Sequence, residues 1–440
     1  DGTSVDGHQF IEQVVASGAS TIVVSKPVKI SAEITVIETK NNRESAALIA
    51  SNFYDHPSRK LQLVGITGTN GKTSIAFLLH QLFTNLGYRT GLISTINVQI
   101  GTHEKLSSLT TPDAISFHSL LAEMAQAGCS FVFMEVSSHA LHQSRVAGAK
   151  FRLGIFSNIT HDHLDYHGSF AEYIKVKKSF FDGLDKDATA LVNLDDRNGK
   201  IMLQNTSAEQ KTYALQNAAD YKGKVIANDR TGLQLLVDDT EIFTRLIGIF
   251  NAQNLLAVYG AAVILGQEKF EILKSISELQ APPGRFEVFQ DIDNRVTALV
   301  DYAHTPDALK KALEAILDIK KPQDQVITVV GCGGNRDTSK RPKMAAIACR
   351  YSNQVVLTSD NPRDEEPAAI ISDMQMGIPE DQRDQVLSIP NRAEAIRTAC
   401  LLGREQAIIL VAGKGHETYQ EVRGEKIPFD DREIVKECLN

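Results

Sequence analysis

Residues 61–83 read LQLVGITGTNGKTSIAFLLHQLF, and no other stretch limits the possible folds so tightly. The apolar run 61–67 suits a buried strand, two glycines interrupt it at Gly68 and Gly71, and the residues from Lys72 onward carry apolar side chains at helical spacing. A strand that turns through glycines straight into a helix gathers backbone N–H groups and the helix's positive end at one point. That arrangement holds phosphate oxygens. Lys72 can then bridge the β- and γ-phosphates of a nucleotide, and the Thr73 hydroxyl can ligate Mg²⁺. The spacing departs from the usual phosphate loop, because Ile66 stands where the first glycine is expected and the glycines fall at Gly65 and Gly68. The bland alternative is a helix-capping turn that happens to contain Gly-Lys-Thr. The strand–loop–helix context favours the phosphate loop and makes Gly68, Thr69, Asn70, Gly71, Lys72, Thr73 and Ser74 its candidate residues.

Around this segment, short apolar runs alternate with helix-like stretches, the pattern of a parallel sheet with helices on both faces. Strands are expected at 20–25, 90–95, 131–136, 153–159 and 188–194, and helices at 11–16 and 44–53. The apolar stretch 255–265 contains a Tyr and a Gly and reads as a buried helix rather than a membrane span. APPGRFEVF, beginning at Ala281, breaks any helix at Pro282, Pro283 and Gly284. Beyond it the alternation restarts with VTALVDYA, VITVVGCGG, QVVLTSDNP and AIILVAGKGH, each ending in a loop rich in Gly, Asp or Asn. Ligands bind at that edge of open α/β sheets. Three segments are therefore expected: 1–60, 61–283 and 284–440.

A formal net charge of -8 argues against nucleic-acid binding, since no excess of cations is at hand for phosphates. The five cysteines, Cys129, Cys332, Cys349, Cys400 and Cys438, are scattered without a CxxC pair, so neither a disulfide framework nor a zinc site is indicated. A reducing cytoplasm and no membrane insertion are the corresponding expectations, and a monomer is expected. The chain opens at Asp1 inside what reads as a structured region, so a natural N-terminus is expected to extend further.

The loop TGTNGKT resembles that of the Mur ligases and of their folylpolyglutamate synthase relatives. The likeness extends through TTPDA from Thr110, MEVSSHAL from Met134, NITHDHLDYHG from Asn158, GRFEVF from Gly284, VDYAHTPDAL from Val300, GCGGNRD from Gly331, SDNPR from Ser359 and AGKGHE from Ala412. In that order the set resembles the MurE type. The resemblance implies an α/β protein of three domains: a UDP-binding N-terminal domain, a central phosphate-loop ATPase with a parallel sheet, and a Rossmann-like C-terminal domain. It implies ATP-dependent amide formation through an acyl phosphate, with ATP and Mg²⁺ required. Bringing a triphosphate to a carboxylate needs cations that offset their repulsion. Glu135 after its strand is a hard oxygen ligand for Mg²⁺. His163 resembles the second metal-site residue, so Thr73, Glu135 and His163 form the expected metal set and Lys72, Glu135, His163 and Lys177 the catalytic set. Lys177 aligns with a lysine that the family carboxylates to a carbamate, although its neighbours Lys175 and Lys178 compete for that position. Arg285, Asp301 and His304 resemble further ATP-binding residues; for His304 a turn histidine is an equal alternative.

By the same resemblance, Thr110, Thr111, Ser137, Gln143 and Arg145, with Thr3, Ser4 and Val5 of a partial uridine pocket, hold the UDP-N-acetylmuramoyl dipeptide. Asp360, Asn361, Pro362 and Arg363 resemble the motif that recognises meso-diaminopimelate, with Arg336, Gly413 and Glu417 as further contacts. An arginine fork suits the second carboxylate that distinguishes diaminopimelate from lysine. Asn335 replaces an aspartate common beside Arg336. The alternatives are a lysine-adding enzyme of this type and a folylpolyglutamate synthase-like ligase; DNPR and GTSVDGH count against the second. A regulatory NTPase would need a guanine-reading Asn-Lys-x-Asp element, which is missing, and an oxidoreductase built on VVGCGGNRD would need a third glycine.

Overall fold

A computed structural model describes residues 5–30, 33–107, 109–160, 162, 164–293, 295–403 and 406–440. Two compact units are present, Asp1–Tyr221 with Ala257–Glu268, and Lys222–Leu256 with Lys269–Asn440.

In the first unit β1 (Thr21–Val24) and β2 (Thr35–Glu38) form a small parallel pair. The main sheet contains β3 (Gln62–Thr67), β4 (Thr90–Ile93), β5 (Asn97–Ile100), β6 (His103–Leu106), β7 (Phe131–Glu135), β8 (Leu153–Phe156), β9 (Thr189–Asn193) and β10 (Glu209–Ala214). Their spatial order is β10-β9-β8-β3-β7-β4-β5-β6. The strands from β10 to β4 run parallel, and β5 and β6 return as an antiparallel edge. Successive side chains point to opposite faces, so a sheet covered on both sides demands apolar residues at every position. Phe83 of the helix Lys72–Asn85 packs on Phe131 and Phe133, with ring centroids 4.5 and 5.1 Å away. Val132 and Met134, between and beyond them, join a core with Phe117, Leu121, Phe180 and Phe181. The helices therefore sandwich β3 and β7 and leave their C-terminal ends at the site.

The second unit begins with an antiparallel meander of β11 (Tyr221–Asp229), β12 (Gly232–Val237) and β13 (Thr240–Thr244). Its main sheet consists of β14 (Glu287–Gln290), β15 (Val296–Asp301), β16 (Gln325–Cys332), β17 (Gln354–Ser359), β18 (Val386–Ser388) and β19 (Ala407–Ala412). The order is β14-β15-β19-β16-β17-β18, with only β14 antiparallel among its paired neighbours. Alternate residues feed two separate cores. Leu299, Val330, Leu357 and Leu410 face one, and Val300, Val329, Val356 and Val411 face the other. The last strand of the sheet inserts between β15 and β16, which brings the loops after β17 and β19 close together. A hairpin of β20 (Tyr419–Val422) and β21 (Glu425–Pro428) follows.

The expected strands form, some one to three residues shorter, and the stretch 255–265 lies largely within the helix Ile249–Ile264. The meander was not anticipated from the sequence. Its β12–β13 turn uses Asp238 and Asp239 at φ 45° and 61°, a left-handed pair for which Asn-Gly is the usual marker. All five cysteines are free thiols, as expected. Among the described residues no helix is long and apolar enough to cross a membrane.

Candidate active site

The phosphate loop closes β3 onto the helix Lys72–Asn85. Gly68 has φ 153°, and a Cβ there would lie 2.0 Å from Ser157 Oγ, so only glycine lets the loop pass the segment after β8. Gly71 caps the helix at φ 84°. The loop is clamped from β8: Asn70 N–H donates to Asn158 Oδ1 at 3.1 Å, Thr69 N–H to Asn158 O at 2.8 Å, and Ser157 Oγ to Asn70 O at 2.6 Å. Lys72 Nζ folds back over this loop, donating to Gly68 O at 3.0 Å and Thr69 O at 2.8 Å. Ser74 lies in the first turn of the helix and is half-buried.

Next to Lys72, Thr73 Oγ1 donates to Glu135 Oε1 at 2.9 Å, and Thr95 N–H donates to the same oxygen at 2.7 Å. Glu135 is 1% exposed at the end of β7. A hydroxyl and a carboxylate side by side at the head of the helix that follows the glycine loop are hard oxygen donors suited to Mg²⁺, which keeps several waters and takes one or two carboxylates with phosphate oxygens. Thr3, Ser4 and His163 lie outside the described residues, and Val5 is exposed.

Lys177, 1% exposed, reaches the loop from the helix Phe170–Asp182 and donates to Gly68 O at 2.8 Å, the carbonyl that Lys72 also caps. Burial, with the Lys72 charge beside it, holds its amine well below the ordinary lysine range. The competing lysines face elsewhere. Lys175 approaches Glu172 at 3.6 Å on the surface, and Lys178 pairs with Asp182 and donates to Gln204 O at 2.6 Å.

The residues expected to hold the muramoyl peptide continue from Glu135. Thr95 Oγ1 donates to Thr110 Oγ1 at 3.0 Å, Thr111 Oγ1 to Glu135 O at 2.8 Å, and Ser137 N–H to Thr111 Oγ1 at 3.1 Å. Arg145 donates to Thr111 O at 2.8 Å and grips Gln143 Oε1 with Nε and Nη2 at 3.0 and 2.7 Å. Thr110, Thr111, Ser137, Gln143 and Arg145 thus form one connected strip leading to Glu135.

In the second unit, the guanidinium of Arg285 lies over the Tyr302 ring, 4.7 Å from its centroid. Asp301 Oδ2 accepts from Phe286 N–H at 2.8 Å, and burial raises its carboxyl while the Arg285 charge opposes this. His304 Nδ1 meets Tyr302 O at 2.9 Å on an exposed turn. The ring of His416 lies 5.0 Å from that of Tyr302, and burial together with the cations of Arg285, Arg432 and Lys414 drives it down to about 3, a neutral imidazole.

The residues assigned to the amino acid meet at the ends of β16, β17 and β19. Gly413 at φ 119° abuts Asp360, whose Oδ2 a Cβ would approach to 2.6 Å. Arg363, itself at φ 51°, is tied to β20 by its N–H on Glu421 O at 3.0 Å, and its side chain donates to Glu421 Oε2 at 3.1 Å and Gly334 O at 2.8 Å. Gly333 lies between the two arginines: a Cβ on it would sit 3.0 Å from Arg363 Nη1 and 3.9 Å from Arg336 Cγ. Asn361 Nδ2 donates to Glu417 Oε2 at 2.8 Å, and Pro362 O accepts from Glu365 N–H at 3.0 Å. Asn335, at φ 52°, exchanges hydrogen bonds with Asp364.

Sequence reasoning passed over Thr95, Ser157, Lys414 and Glu421. Ser157 lies beside a quoted motif, Lys414 inside one and Glu421 four residues past it, but their roles are contacts across the chain that no spacing reveals. Thr95 ends an expected strand and reaches Glu135 through its backbone N–H, which carries no residue signature.

Residues 66–262 match the description "Mur ligase middle domain", and residues 284–415 match "Mur ligase, glutamate ligase domain". A protein of Cytophaga hutchinsonii named UDP-N-acetylmuramoyl-L-alanyl-D-glutamate–2,6-diaminopimelate ligase is 55% identical over 442 residues, spanning 100% of this chain and 90% of its own length. A solved structure of a ligase of that name superposes with TM-score 0.69 at 31% identity, covering 98% of this chain and 88% of the other. A folylpolyglutamate synthase from Thermotoga maritima superposes with TM-score 0.66 at 13% identity over 84% of this chain and 90% of its own, a likeness of fold alone. With its phosphate loop, acidic strand end and paired α/β sheets, the chain belongs to the Mur ligase family, in its MurE branch.

Proposed function

We propose that the chain joins meso-2,6-diaminopimelate to the D-glutamyl carboxylate of UDP-N-acetylmuramoyl-L-alanyl-D-glutamate, consuming ATP and releasing ADP and phosphate. The substrates are those named for its relatives. The observation that carries the chemistry is the meeting of Lys72, Lys177 and the Thr73–Glu135 pair around one phosphate loop. Residues 1–60, 61–283 and 284–440 would be the segments for uridine nucleotide, ATP and amino acid. The reading carries with it a bacterial cytoplasm, where both nucleotides are at hand, and action as a monomer.

The carboxylate attacks the γ-phosphorus of ATP to give an acyl phosphate and ADP; the amine then attacks the acyl carbon and phosphate leaves. Backbone N–H groups of Gly71–Ser74 cradle the phosphates while Asn158 holds those of Thr69 and Asn70, and Lys72 turns from its two carbonyls to the charge that grows on the transferred group. Mg²⁺ bound through Thr73 and Glu135 would offset the charge shared by the triphosphate and the incoming carboxylate. Arg145, braced by Gln143, offers cationic donors to the anionic peptide.

Lys177 suits carbamate formation because CO₂ reacts with a neutral amine, and burial, with the Lys72 charge beside it, shifts this amine toward its neutral form. The resulting anion would lie beside Lys72 rather than opposing it. Lys177→Met is expected to lower kcat by about 100-fold or more, the scale of a lost charge-positioning group, with the melting temperature unchanged or raised because an enclosed amine is removed. Phosphate-release kinetics and thermal melting check both halves. A variant that keeps wild-type kcat would remove Lys177 from the reaction.

The decisive assay measures phosphate release with ATP, the UDP-linked dipeptide, and either diaminopimelate or lysine. Strong preference for diaminopimelate is expected; preference for lysine or for glutamate would replace this reading with the corresponding alternative. Arg363→Leu is expected to raise the KM for diaminopimelate about 10–100-fold, as losing a bidentate carboxylate partner does, and to leave the KM for ATP unmoved. Equal KM values in variant and wild type would show that Arg363 does not read the distal carboxylate.

A further inference from the structure

Lys414 is completely enclosed, at 0% exposure, yet ends in an ammonium group. A buried ammonium persists only where acceptors take up its protons. Its Nζ donates to Asn361 Oδ1 and to Glu417 Oε2, both at 2.9 Å, and it lies 5.5 Å from the centroid of the Tyr419 ring. Asn361 Nδ2 closes the triangle by donating to the same Glu417 Oε2 at 2.8 Å. Asn361 Oδ1 also accepts from Glu421 N–H at 2.9 Å. The triangle joins the loop after β17 to the loop after β19.

Two consequences follow from counting donors and acceptors. Asn361 has both lone pairs of Oδ1 and one Nδ2 proton engaged within the protein, which leaves it little to offer a ligand. Glu417 Oε2 accepts twice, whereas Oε1 accepts from none of the described residues. A carboxylate held by one oxygen presents the other in a defined direction. Glutamate otherwise samples several rotamers and must be ordered when a ligand arrives. The Lys414 charge also keeps Glu417 compensated when no substrate is present.

We infer that Lys414 is a positioning residue for the amino-acid substrate: it fixes Glu417 through Oε2, so that Oε1 is the acceptor for a substrate ammonium, and Asn361 acts through the same oxygen. This rests on the proposed reading of the β17 and β19 loops as the amino-acid site. Neither residue need touch the ligand. The side chain that meets it is Glu417.

A double-mutant cycle on the full chain tests this. Steady-state kinetics with ATP, the UDP-linked dipeptide and diaminopimelate would compare the wild type with Lys414→Met, Glu417→Ala and the double variant. Lys414→Met is expected to raise the KM for diaminopimelate about 10–100-fold, the range typical when a residue that orients a ligand-binding group is lost. The kcat and the KM for ATP are expected to stay within about twofold, since the loss falls on binding of one substrate. In the Glu417→Ala background the same substitution is expected to cost nothing further. Multiplying effects in the double variant, or a fall in kcat with KM unchanged, would overturn the inference and make Lys414 a packing residue. If Lys414→Met fails to fold, Lys414→Leu, which likewise lacks a donor, carries the same cycle. Failure of the wild type to use diaminopimelate would instead sink the functional reading. The cycle would then be run on the amino acid that is used, and its additivity still decides the role of Lys414.

Discussion

Lys72→Ala is expected to lower kcat by about 1,000-fold or more, in line with the loss of a cation that stabilises the transferred phosphoryl group. The side chain is the only part of the loop that carries a full charge; the remaining loop donors are backbone N–H groups that the substitution keeps. Folding is expected to survive. Gly68 O retains its bond from Lys177 at 2.8 Å, and the clamp from Ser157 and Asn158 does not involve Lys72. Single-turnover ADP formation with saturating ATP, read beside the melting temperature, separates the two contributions. A variant with unaltered melting and a kcat within tenfold of wild type would refute the phosphate-loop assignment.

Asp431→Ala is the second large effect, and it falls on stability. Arg392 and Asp431 are both at 0% side-chain exposure and form a two-pronged pair, Nε to Oδ1 and Nη2 to Oδ2, each at 2.7 Å. The same guanidinium reaches Ala412 O at 3.0 Å and Ser359 O at 3.4 Å, the last residues of β19 and β17. Removing the carboxylate strands a buried cation, which costs about 3–5 kcal/mol. A nearby pair on the same two helices, Arg397 and Glu437 at 3.4 Å, is about half or more exposed on both sides and supplies the control. Glu437→Ala is expected to leave the urea midpoint at its wild-type value, because solvent already screens that pair. Comparable midpoints for the two variants would mean that burial does not set the strength of the Arg392 pair. Replacing Arg392 and Asp431 together by leucines is expected to recover most of the loss, since an apolar pair leaves no charge behind.

The legible parts of this protein are those written in local pattern. The helix Ile11–Ala16 and the strand Thr21–Val24 follow directly from apolar spacing, and the strand–glycine–helix signature around Lys72 places a phosphate loop without tertiary information. The parallel sheets follow too, because strands covered on both faces read as unbroken apolar runs. The meander β11–β13 escaped because its strands alternate and its tight turn is Asp-Asp, which marks a hairpin less sharply than Asn-Gly. Thr95 escaped because its contribution to Glu135 is a backbone N–H, which every residue type but proline possesses.

Sequence alone determined most element types, the strand–glycine–helix turn and the family, since each is encoded within a window of a few residues or in the order of such windows. Tertiary structure alone decided which of Lys175, Lys177 and Lys178 reaches the loop: a register difference of one or two helix positions sends one amine to Gly68 O and the others outward. It likewise decided that Asn361 spends its amide on Glu417 and Lys414, fifty-odd residues away along the chain. A charge's protonation and a side chain's free valences depend on what surrounds them in space. That surrounding exists only once the strands have paired.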